Sequence, residues 1–172
     1  MLMQSTLTLA RDDFFGSGAF DPALLAAVEG FTDENVLYRF QSKLGLKATD
    51  AQQLLLDTTR FLFICASFPD KGPFSPTPAI DSAWHEFLMF TDEYQRFCQK
   101  YLGRFVHHRP FVPGVVVKPG GIYRTYVIAR QMLGDDLSPN WMLPDVEFKS
   151  LDAMSECGGS CGGGCNGGNC WS

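Results

Sequence analysis

The stretch PAIDSAWHEFLMFTDEYQRFCQKYLGRFVHHRP, Pro78–Pro110, carries all three histidines of the chain, and its periodicity decides the fold class. Thr77 and Pro78 stand in the order of a capping hydroxyl and a first-turn proline, which opens a helix. Ile80, Trp84, Phe87, Thr91, Tyr94, Cys98 and Tyr101 then recur at alternating steps of four and three. That period predicts one long amphipathic helix with an apolar stripe, closed at Gly103. The following RFVHHRPFVPGVVVKPGG is extended and punctuated by proline, and GVVV is its candidate for a short strand.

Outward from this helix the same reading repeats. Asp21 and Pro22 open a helix over PALLAAVEG, and Thr32 caps a second that Gly45 ends after Leu44. Thr49 and Gln52 have capping-box spacing ahead of Leu54, Leu55, Thr58, Phe61, Leu62, Cys65 and Phe68, a long buried helix. Four prolines between Pro69 and Pro78 demand a loop. Gly121 to Gly134 reads as a further helix with Ile122, Tyr123, Tyr126, Val127, Arg130 and Leu133 on one side, and SPNWMLPDVEF reads as irregular. The expectation is a mainly α protein, a single helical-bundle domain of about five helices over 1–154, followed by a disordered Gly/Cys-rich tail over 155–172.

Composition narrows the function classes. The chain has 172 residues, 45% hydrophobic and 19% charged, with 15 phenylalanines, so it can bury a core rich in aromatic packing. A formal charge of −5 argues against general nucleic-acid binding and against anionic membranes, which select basic surfaces. MLMQSTLTLARDDFF has neither a basic start nor a long apolar run, and FLFICASF is too short to cross a bilayer. A cytoplasmic location with reduced thiols is the resulting expectation. Phosphate-cradling glycine motifs and the G-x-S-x-G elbow are missing from the sequence, so no nucleotide or hydrolase chemistry is expected. KPGGIYR places Lys118 and Arg124 around a helix start that suits an anion, although a plain turn into the helix explains it as well.

The histidines bring chemistry. Asp81 and His85 are four apart, on one face of the helix and one turn from each other. Neutral imidazole ligates zinc, iron or copper, and a carboxylate beside it ligates as well or fixes the tautomer. His107 and His108 follow in an extended stretch, where neighbours project to opposite sides, so one of them faces back and His108 is the choice. Asp81, His85 and His108, with Cys98 or Glu86 as a further candidate, make three protein ligands with an open position for zinc or another transition metal. The same residues fit an architectural role: Asp81 suits the helix N-terminus, and Cys98 lies on the packing stripe, where thiols are inert. An enzyme using a metal-activated water ranks last.

Cys157, Cys161, Cys165 and Cys170 are separated by three, three and four residues, unlike the tight C-x-x-C knuckle. Glycines between them let four thiolates wrap a soft ion such as zinc or cuprous copper. A solvated tail without a ligand is the alternative, and so is a tail docked or modified by an unknown partner protein or enzyme. Asp81-x-x-Trp84-His85, followed by Tyr94, Cys98, Gly103 and His108, resembles the signature of the glycine-rich domain-containing-protein-like (GRDP-like) family, in the form of a short bacterial-type member. Larger members are linked to development, stress response and RNA-binding domains elsewhere in their chains. Many of them carry a second histidine where this chain has Phe87, so the resemblance implies a site completed by His107 or His108.

Overall fold

Asp21 opens the first helix as its spacing predicts. Its carboxylate accepts from the Ala23 and Leu24 amides at 2.9 and 3.3 Å, and α1 (Pro22–Glu29) follows. The structure, a computed structural model, describes residues 21–110, 120–134 and 137–142 and the backbone of 155–157. The GVVV segment and Cys161, Cys165 and Cys170 lie outside the described residues.

Asp33, rather than Thr32, caps α2 (Glu34–Leu44), because its carboxylate reaches two amides at once, those of Asn35 and Val36, both at 3.0 Å. The capping box at Thr49 does not form. α3 (Ala48–Ser67) begins one residue earlier, which leaves Thr49 inside the first turn with its hydroxyl toward Asp50. This helix is buried almost all round, from Ala51 through Leu54, Phe61 and Leu62 to Cys65. A helix apolar on every side needs cover on every side. α1, α2, α4 (Pro78–Leu88) and α6 (Gly121–Leu133) all pack against it.

The predicted long helix from Pro78 is two. α4 stops at Leu88, and α5 (Thr91–Phe97) restarts with Asp92 and Glu93 in its first turn, where carboxylates favour a new N-terminus. A π-helical turn, Cys98–Leu102, carries on to Gly103. The break at Met89 and Phe90 lets Tyr94 and Phe97 fold back onto Phe87, with ring centroids 5.2 and 5.6 Å away. Gly103, at φ +65, then turns the chain toward the histidines. Six α-helices are therefore present among the described residues, where about five were expected. None of the described helices is long and apolar enough to cross a membrane.

α6 packs with a face shifted from the one its sequence suggested. Ile122, Thr125, Ile128, Ala129 and Met132 are buried, whereas Tyr123 is exposed. Its first residue must be glycine, because a Cβ at Gly121 would sit 2.3 Å from Ser75 Oγ. Arg124 donates to the Pro73 carbonyl at 3.0 Å, so the KPGGIYR cation closes the proline loop.

The irregular SPNWM stretch forms a 3-10 turn, Pro139–Trp141, held by a buried carboxylate in α3. Asp57 accepts from Trp141 Nε1 and Asn140 Nδ2 at 2.8 Å, from Ser138 Oγ at 2.6 Å and from Gln53 Nε2 at 3.2 Å. Thr77 joins that turn to α4, since its hydroxyl accepts from the Ile80 amide and donates to the Asn140 carbonyl at 2.6 Å.

Two short strands complete the described chain: β1 (His108–Pro110) pairs antiparallel with β2 (Ser155–Cys157). Cys65, at the end of α3, is disulfide-bonded, in contrast to the expectation of uniformly reduced thiols.

Candidate metal centre

α4 carries two of the three polar groups that meet at the edge of the core. Its period sets Trp84 and Phe87 inward, and the same turn places Asp81 and His85 one above the other at the margin. His85 Nδ1 donates to the Asp81 backbone carbonyl at 2.8 Å and stands 3.3 Å from Asp81 Oδ2. A carbonyl only accepts, so this bond puts the proton of a neutral ring on Nδ1 and leaves the lone pair on Nε2.

His108 arrives from β1, and its Nε2 lies 3.1 Å from Asp81 Oδ1. The two imidazole rings are 4.1 Å apart, centroid to centroid, and Trp84 stacks edge-on against His108 at 4.5 Å. One ligand atom from each of Asp81, His85 and His108 lies within 4.8 Å of the other two. Bonds of about 2.0–2.2 Å to a tetrahedral dication place ligand atoms roughly 3.3–3.6 Å apart, so the set closes with a contraction of at most roughly 1.2–1.5 Å. The His85 side chain is 49% exposed, whereas those of Asp81 and His108 are 11% and 7% exposed. An ion would therefore enter from the His85 side, onto two ligands already fixed in the protein.

The other sequence candidates lie elsewhere. His107 is exposed and rests against Phe105, with centroids 4.8 Å apart, as alternation along an extended chain requires. Glu86 forms an ion pair with Arg39. Cys98 is fully buried beside Tyr94, and burial raises its thiol above the ordinary 9.0, so it stays protonated near neutrality. The side chains of Cys157, Cys161, Cys165 and Cys170 are not among the described ones.

His108 is placed by a relay through the core. Trp84 Nε1 donates to the Tyr94 hydroxyl at 3.1 Å, and that hydroxyl donates to the Val106 carbonyl at 2.5 Å. Burial raises Tyr94 well above the ordinary 10.0, so the donor keeps its proton. Val106 is two residues before His108, and the relay thus ties the histidine strand to the helix bearing Asp81 and His85. Replacing Tyr94 by phenylalanine should cost about 1–3 kcal/mol, because the Trp84 N–H and the Val106 carbonyl both lose their partner in the core. Chemical denaturation of the two proteins measures it, and an unchanged midpoint would remove the relay from the account.

The sequence placed Tyr94 and Trp84 on a packing stripe and did not show this relay. A general signal exists: a buried tyrosine or tryptophan needs a partner for its polar end. Asp57 was also passed over, and its signal was a lone carboxylate within LLLDTTRFLFI.

The UCP032817-like family matches residues 31–129, more than half of the chain, and the chain belongs to that family. This overturns the resemblance to the GRDP-like family. The residues that carried it serve general needs here: a carboxylate in a first turn, a packed Trp–Tyr pair, a buried cysteine and a helix-ending glycine. No curated protein and no solved structure matches the chain.

Proposed function

We propose that this UCP032817-like protein is a small metal-binding module in which Asp81, His85 and His108 hold a transition-metal dication. The observation that carries the reading is their convergence within 4.8 Å, from two elements 27 residues apart. Two imidazoles and one carboxylate suit zinc, copper, nickel or iron, whereas magnesium and calcium select oxygen donors. Zinc fits best, because a tetrahedral ion takes three protein ligands and leaves one position open. A purely architectural role accounts for the bond between His108 and Asp81. It does not account for a second, half-exposed imidazole held 4.1 Å, centroid to centroid, from the His108 ring.

His85→Ala is the cleanest test, since the residue is at the surface and its loss should change stability by less than about 0.5 kcal/mol. The full chain, stripped with a chelator, is titrated with zinc in a calorimeter. The native protein should bind at this centre, and the variant should bind it at least about 10-fold more weakly. Equal affinity and stoichiometry in the two proteins would sink the reading.

A further inference from the structure

Asn35, Tyr38, Arg39, Ser42 and Lys43 recur along α2 at helical spacing, so all five sit on one face of that helix. Phe90, in the break between α4 and α5, closes the other side, and the groove so formed holds about 450 Å³. That volume falls within the roughly 300–1,000 Å³ of small-molecule sites, and the five residues span about 12 Å of helix. Among the described residues, Arg39 and Lys43 are the charged groups that line it. Glu86 takes only Nε of Arg39, which fixes the guanidinium and leaves both terminal nitrogens without a hydrogen bond among the described residues. Lys43, exposed in the last turn of α2, has no ion pair among them either. Tyr38 is 73% exposed and Phe90 is half-buried against the core, so the groove offers two aromatic rings beside two cations.

We propose that this groove is a second site, which binds a small arylalkyl monocarboxylate: a flat apolar ring a few bonds from a carboxylate. The terminal nitrogens of a guanidinium held through Nε form a planar fork, and a carboxylate matches that fork with two parallel bonds. Lys43 lies one helical turn from Arg39 on the same face and adds a mobile second donor. The rings of Tyr38 and Phe90 are covered by an apolar body, which stabilises the complex by removing their exposed surface from water. Charge selects one carboxylate rather than a doubly charged phosphate. Two cations stand against Glu86 and about half a negative charge from the C-terminal carbonyls of α2, so the surplus is less than one unit. None of the six lining residues belongs to the Asp81–His85–His108 centre, so the site is independent of the metal reading.

Three matched probes test the charge and the ring together: 3-phenylpropionate, its neutral amide 3-phenylpropanamide, and 2-phenylethyl phosphate. Each is titrated into the full-length protein and followed by the amide shifts in its NMR spectrum, with a chelator present to keep the carboxylate off any metal. 3-Phenylpropionate should move the signals of Asn35, Tyr38, Arg39, Ser42, Lys43 and Phe90. The amide should bind at least about 10-fold more weakly, because it loses the charge-assisted bonds. The phosphate should bind no more tightly than the carboxylate. Lys43→Gln and Tyr38→Ala both change exposed side chains, so both variants should fold, and each should weaken 3-phenylpropionate by about 5-fold. No shift at these residues, an amide that binds as well as the acid, or variants that bind as the native protein does would overturn the site. A phosphate that binds more tightly than the carboxylate would overturn the monocarboxylate assignment.

Discussion

Asp81→Ala should weaken zinc binding by more than about 100-fold, beyond the 10–100-fold typical of losing a group that only orients a ligand. The reason is its double attachment. One carboxylate oxygen faces His108 Nε2 at 3.1 Å and the other lies 3.3 Å from His85 Nδ1, so its removal deletes a ligand and frees the His108 ring, while His85 keeps its bond to the backbone carbonyl at that position. The metal-free protein should also lose about 1–3 kcal/mol, because the largely buried His108 ring is left without its acceptor. Asp81→Asn separates these effects. An amide oxygen still accepts from His108, so stability should be largely kept, while the lost negative charge should still depress zinc affinity. Calorimetric titration and thermal melting of the three proteins measure both quantities. An Asp81→Ala protein that binds zinc as the native one does would remove Asp81 from the centre.

Asp57→Ala should be the most destabilising single change among the described residues discussed, at about 3–5 kcal/mol. Asp57 is fully buried and takes four donors, Trp141, Asn140, Ser138 and Gln53, with Arg60 also 3.7 Å away. Alanine leaves several of those donors without a partner inside the protein, and each such loss costs about 1–3 kcal/mol. For a chain of this size the melting temperature should fall by roughly 6–20 °C. The damage should reach the metal centre as well. The same turn accepts from Thr77 through the Asn140 carbonyl, and Thr77 caps the helix whose first turn bears Asp81. A melting temperature within about 2 °C of native would show that the C-terminal turn is anchored by other contacts.

Much of the helical fold was legible. The caps at Asp21 and Thr77, the end of α2 at Gly45 and the buried run of α3 follow from local rules, since each depends on residues within one or two turns. Where the reading slipped, the deciding interaction was not local. The stripe from Ile80 to Tyr101 is equally periodic for one helix or for two, and only the return of Tyr94 and Phe97 onto Phe87 selects the break. The face of α6 was misphased because Tyr123 and Leu133 are as apolar as the residues that are buried. Ser75 against Gly121 sets the helix rotation.

The centre divides along the same line. Asp81 and His85 sharing one face is a matter of helical period, and the alternation of an extended chain already separated His107 from His108. Those relations belong to the sequence by itself, because a backbone with a fixed repeat determines which neighbours align. That His108 comes within 3.1 Å of Asp81, that Asp57 gathers a distant turn and that Cys157 stands opposite His108 were decided by the tertiary structure. Such pairings join residues 27 to 84 positions apart, and no local repeat encodes them. They come from burying the same aromatic core with every polar group that it encloses still satisfied.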